Sequence, residues 1–189
     1  LNRWGNKDER HKLVESVIRN VNLWDRKDDK IKTFSGGMKQ RVGVAQALLN
    51  LPKIIIVDEP TSGLDPRERI RFRNMLAEMS KNRIVIFSTH IVEDISTSCR
   101  EVAVLERGKV IFEGTPEAMR QIAKGKVWES LIPTEEFAEW NKNLQIVTHI
   151  RDQDKIKIKY IRENPVEQLE TTKVEPTLED AYLLMLNPI

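Results

Sequence analysis

The chain has 189 residues, 40% of them hydrophobic and 32% charged, with a net charge of +2. That length accommodates one compact domain plus a small appendage, and interspersed charges of both signs exclude the clustered basic stripe of a dedicated nucleic-acid surface. No apolar run approaches the roughly 18 residues of a membrane span, and the single cysteine, Cys99, excludes an internal disulfide.

Residues 8–21 read as a helix with Leu13, Val14, Val17, Ile18 and Val21 on one face. After a charged loop comes "FSGGMKQR", where Ser35, Gly36 and Gly37 run into a helix predicted over 38–50. A helix N-terminus gathers unpaired N–H groups and about half a positive charge. Glycines let a large anion approach the backbone, and Ser35 offers an N-cap hydroxyl. On these residues alone, phosphate binding and an ordinary Ser-Gly-Gly turn are both open.

The run "KIIIVDEP" predicts a strand of a parallel sheet, buried on both faces. It delivers Asp58 and Glu59 to the C-terminal edge of that sheet, where ligands bind. Asp58 suits a Mg²⁺ ligand, and Glu59, pointing the other way, could orient or deprotonate an attacking water. A solvated strand end is the alternative. Residues 67–80 predict a helix, and "RIVIFSTH" predicts a second buried strand that ends at Ser88, Thr89 and His90, beside the acids. There His90 could donate a hydrogen bond to a terminal phosphate. His11 and His149 have no such company and read as surface or packing residues. Residues 91–99 predict a helix that packs Cys99.

In "EVAVLERGKVIFEGTP" two short strands flank "ERGK", a β-hairpin pattern. Beyond about Gly125 the texture changes. "KVWESLI", "LQIVTHI" and "KIKIKYI" read as strands and 133–140 as a short helix. "PTLEDAYLLML" reads as a closing helix, opened by a Thr177/Asp180 capping box. A domain boundary is placed near residue 125.

Taken in order, "FSGGMKQR", "IIIVDEP", "SGLDP" and "STH" resemble the ATPase subunit of ABC transporters, over about Asp8 to Glu117. The closing segment further resembles the accessory domain on ATPases of bacterial exporters. The resemblance implies an α/β fold, the C-terminal part of a P-loop NTPase (RecA-like) ABC ATPase domain, with a small α+β accessory domain. Residues 1–125 would form the ATPase part, with a helical-subdomain remnant over about 1–50 and the RecA-like core over about 51–125; residues 126–189 would form the accessory domain.

By the same resemblance two ATPase domains pair head to tail around ATP and Mg²⁺. Ser35, Gly36, Gly37 and Met38 would contact ATP in trans. Asp58 would hold Mg²⁺ in cis, Glu59 and His90 would be catalytic, and Asp65 would sit in the loop that crosses the dimer interface. A second ABC ATPase domain and a transmembrane permease are the implied partners, with no nucleic acid. The implied location is the cytoplasm, at the inner face of the membrane. Phe34 stands where the family usually has leucine, and Met38 where it has glutamine; neither alters the hydroxyl or the backbone donors.

The family's phosphate loop, G-x-x-x-x-G-K-[ST], has no counterpart. Gly108-Lys109 and Gly125-Lys126 are each followed by valine, and Ala103 and Arg120 stand where the first glycine is needed. The expectation is a C-terminal piece of a longer ATPase, inactive by itself. Rival readings fit less well. A chromosome-maintenance-type lobe would carry long heptad repeats before the signature, and a translation-associated ABC protein would read Asn-His-Leu-Asp in place of "SGLD". A non-catalytic regulatory remnant would have no physical reason to keep both Glu59 and His90.

Overall fold

The computed structural model describes residues 6–188. The chain divides into two compact units, Leu1–Asp94 and Ile95–Ile189.

In the first unit, α1 (Lys7–Asn20) starts at an Asn6/Glu9 capping box. It buries Val17, while Val14, expected on the same apolar face, is exposed. Helix α2 (Gly36–Leu48) begins two residues earlier than its hydrophobic spacing predicts. Ser35 is the cause: its hydroxyl accepts the Met38 N–H at 3.3 Å and so draws both glycines into the first turn. Strand β1 (Ile54–Asp58) pairs in parallel with β2 (Ile84–Ser88), in a register from Ile54↔Ile84 to Asp58↔Ser88. Between them runs α3 (Pro66–Met79), capped by Asp65, which accepts the Glu68 N–H at 2.9 Å. Pro66 suits the first helical position, where no N–H is needed. Phe72, Leu76 and Met79 of α3 join Val17, Val44 and Ile55 in one core. Helix α4 (Val92–Ser98) follows β2 and crosses the division between the units.

One expectation is corrected here. The isoleucine-rich strands are buried on one face only. Ile55 is 3% exposed, but Ile54, Ile56, Ile84 and Ile86 are 53, 76, 58 and 51% exposed. The period-two alternation of strands puts all four on the same side of the sheet. Among the described residues, no element covers that side.

In the second unit, β3 (Val102–Glu106) and β4 (Lys109–Gly114) form the expected hairpin. Its turn residues, Arg107 and Gly108, both have positive φ, 49° and 76°, as a two-residue turn that matches strand twist requires. A second sheet has the order β6-β7-β5-β8, all antiparallel, from β5 (Val127–Pro133), β6 (Gln145–Asp152), β7 (Lys155–Ile161) and β8 (Thr171–Lys173). The Lys/Ile alternation of β7 resolves as predicted: Ile156, Ile158 and Tyr160 are buried, and Lys155 and Lys157 face outward. Helix α6 (Phe137–Asn143) packs Phe137 and Trp140 against that core. Helix α7 (Leu178–Leu186) has the predicted capping box. Helix α5 (Pro116–Gln121) and β8 had no sequence forecast. Because α5 packs on α7, it and the hairpin belong with the second unit, and the division falls ahead of the residue-125 boundary expected from texture.

Tyr160 closes this second core. Its hydroxyl accepts the Val166 N–H at 3.3 Å and meets Thr171 Oγ1 at 3.1 Å. Tyr160→Phe should destabilise the unit by about 1–3 kcal/mol, because a buried N–H is left unpaired. Hydrogen exchange of the β5 and β7 amides checks this; protection equal to that of the unchanged chain would contradict it.

Candidate active site

The predicted acids meet the predicted histidine at the C-terminal end of β1 and β2. Strand pairing places Asp58 opposite Ser88, whose hydroxyl donates to the Asp58 carboxylate. The Glu59 N–H donates to both Ser88 Oγ and the Ser88 carbonyl at 3.1 Å. Glu59 itself has left the strand conformation, with φ at +46°. A non-glycine residue in that region is strained, and such strain gathers at functional positions.

This backbone turn aims the Glu59 side chain at His90, with Oε1 2.9 Å from Nδ1. Glu59 Oε2 is buried and has no hydrogen-bond partner. An ionised carboxylate only accepts, so Nδ1 carries the proton in this contact. The far nitrogen, Nε2, then donates only when the ring is the imidazolium. The His90 side chain is 70% exposed, so that nitrogen is open to an incoming anion.

The signature residues form a second cluster with the loop that carries Asp65. Gly37 and Gly36 differ in what they permit. A Cβ on Gly37 would come 3.0 Å from Leu64 Cδ2 and 3.6 Å from Glu68 Oε2, so Leu64 would have to give by a few tenths of an ångström to admit one. A Cβ on Gly36 would meet nothing within 4 Å, and glycine within a helix costs about 0.5–1 kcal/mol relative to alanine. The fold therefore supplies no reason for Gly36. Two further ties join α2 to this loop. Gln40 Nε2 donates to the Ser62 carbonyl at 3.4 Å, and buried Arg41 pairs with Glu68, which also binds Arg71 at 2.7 Å. Asp65 is engaged as the α3 cap. A cleft of about 160 Å³ between α2 and β1 is lined by residues including Gln40, Val44, Asp58 and Phe72.

Sequence reasoning missed Gln40, Arg41 and Glu68. They act across long sequence separations, and no local periodicity marks such pairs.

Among the described residues no group of three or more His, Cys, Asp or Glu side chains could enclose a metal. The oxygen donors at Asp58 and Ser88 nonetheless suit Mg²⁺, which takes one or two carboxylates and fills its shell with water and phosphate oxygens.

A family model described as "ABC transporter" matches residues 2–62. The uncharacterized ABC transporter ATP-binding protein YxlF of Bacillus subtilis is 34% identical over 137 residues, 72% of this chain and 46% of its own length. A Nod factor export ATP-binding protein I of Burkholderia lata is 34% identical over 110 residues, 58% of this chain and 36% of its own. The methionine import ATP-binding protein MetN 3 of Shouchella clausii is 33% identical over 147 residues, 77% of this chain and 42% of its own. Among solved structures, cbiO1 of Clostridium perfringens, part of the ABC transporter complex cbiONQ, superposes with a TM-score of 0.57 at 32% identity, covering 62% of this chain and 51% of that one. The chain thus spans less than half the length of the curated relatives it matches. The ordered motifs, the acid pair at a parallel strand end and these likenesses agree: the matched part of the chain is that of an ABC transporter ATP-binding domain.

Proposed function

We propose that this chain is part of an ATP-hydrolysing subunit of an ABC transporter, which drives transport as ATP closes two such domains against each other. The observation that carries the reading is the convergence of Asp58, Ser88, Glu59 and His90 at one strand edge, with Glu59 held in a strained conformation. Asp58, supported by the Ser88 hydroxyl, would hold Mg²⁺, which when bound neutralises charge on the phosphates. Glu59 would accept the proton of the attacking water. His90, held through Nδ1, would present Nε2 to phosphoryl oxygen that gains charge.

Ser35, Gly36, Gly37 and Met38 would face the nucleotide of a second ATPase domain. The unexplained glycine at position 36 supports this, since it leaves room on the outer side of the α2 N-terminus. The proposed partners are that second domain and a transmembrane permease, which would hold the protein at the cytoplasmic face of the membrane. No helix among the described residues is long and apolar enough to cross a membrane. We read the direction as export, from the C-terminal segment that ends in "VEPTLEDAYLLML"; relatives named for export and for import both match the chain. Greater retention of an effluxed dye by cells that lack the protein would support export.

Gly36→Asp tests the in-trans role. A Cβ is tolerated there, so the variant should fold. In an intact protein that includes a phosphate loop, its carboxylate should repel the partner's nucleotide and lower hydrolysis by about a hundredfold or more. Binding of ATP to the monomer should be unchanged. An equal loss of monomer binding would mean that the turn acts on its own subunit's nucleotide.

A further inference from the structure

Two buried residues and a half-buried arginine form a triad that braces the site from behind. Asp94 is 0% exposed and lies in the first turn of α4, shortly after His90. Thr61, 1% exposed, follows Glu59 in the turn after β1 and donates its hydroxyl to Asp94 Oδ2. Arg73, on α3, donates to Asp94 Oδ1 at 3.3 Å and to the Glu93 carbonyl at 3.3 Å. A fully buried carboxylate is costly unless it is paired and hydrogen-bonded, and here both oxygens are engaged.

We infer that Thr61 and Asp94, with Arg73 as counter-charge, are positioning residues that fix the Glu59 carboxylate against His90. The inference rests on the catalytic reading of Glu59. The strand register ties the two arms of the site together on one side, through Asp58 and Ser88. The Thr61–Asp94 bridge ties them on the other. Between these ties the turn is closed by the Ser62 N–H donating to the Glu59 carbonyl at 3.2 Å. A strained residue persists only where its surroundings over-determine it. Without the Thr61 hydroxyl the turn can relax, Glu59 can return to negative φ, and its carboxylate swings away from His90. Nucleotide affinity does not change, because the triad faces the protein interior.

The test compares Thr61→Val and Thr61→Ser in an intact protein that includes a phosphate loop. Valine keeps the shape and removes the hydroxyl; serine keeps the hydroxyl. Thr61→Val should lower kcat by about tenfold or more, as misplaced reacting groups do, with KM for ATP unchanged, and Thr61→Ser should restore most of the loss. An unchanged kcat in Thr61→Val would overturn the inference. So would equal losses in both variants accompanied by an equal fall in Tm, the signature of packing alone. If Glu59→Gln is inactive while Thr61→Val is fully active, only this inference fails. If Glu59→Gln keeps its turnover, the catalytic reading itself fails.

Discussion

In an intact protein that includes a phosphate loop, Glu59→Gln is expected to lower ATP turnover by at least about a hundredfold, the low end of what a positioned general base contributes, while ATP binding persists. Glutamine has the size of glutamate and meets the same +46° backbone strain, so the fold is not further taxed. Its amide can still bond His90, either by accepting from Nδ1–H through its carbonyl oxygen or by donating N–H to an unprotonated Nδ1. What is lost is the basic oxygen. On the proposed mechanism hydrolysis would stall after ATP closes two such domains, so a nucleotide-bound dimer should accumulate and be visible by size-exclusion chromatography with ATP. Near-normal turnover would remove Glu59 from the chemistry. Binding lost together with turnover would instead mean that Glu59 holds the nucleotide.

Much of this site is legible in the sequence because its determinants are local. A run of branched apolar residues that ends in Asp58-Glu59 dictates a strand whose end presents acids. A second run ending in Ser88-Thr89-His90 dictates its neighbour, and parallel pairing brings the two ends together. The hairpin around "ERGK" and the Thr177/Asp180 capping box are equally local, and both form as predicted. Contacts between distant segments are not legible in this way. Nothing near Arg41 announces Glu68, and nothing near Thr61 announces Asp94. The positive φ of Glu59 carries no signal either, since glutamate does not favour that region by itself; distant contacts hold it, among them Ser88, which binds the Glu59 N–H. The expectation that β1 and β2 are covered on both faces fails for a related reason. Periodicity reports which residues are fit to be buried, not whether a neighbour is present to bury them.

That uncovered face leads to the largest expected effect, on the chain in its present extent. Ile54 and Ile56 of β1 lie beside Ile84 and Ile86 of β2, each more than half exposed. Parallel strands are found almost only where both faces are covered, and a two-stranded sheet is marginal even with one face buried. The purified 189-residue chain should therefore self-associate through this face. Replacing the cross-strand pair, as Ile56→Lys with Ile86→Glu, should return it to a monomer, because the new charges face each other and solvent. In an intact protein in which that face is covered, the same pair should prevent folding.

Nucleotide binding by the chain should be equally affected. It offers Asp58 and Glu59 to the phosphates but no phosphate-loop lysine or backbone cradle. Hydrogen bonds to charged groups are worth about 1.5–3 kcal/mol each. Losing three costs at least about 4 kcal/mol, or roughly a thousandfold in affinity. Titration calorimetry with Mg-ATP should show no micromolar binding, either by the associated chain or by the charged monomer. Stoichiometric micromolar binding by a monomeric, cooperatively melting sample of the unchanged chain would overturn both expectations. It would mean that the residues described here already form a complete nucleotide site, with the isoleucine face as ordinary surface.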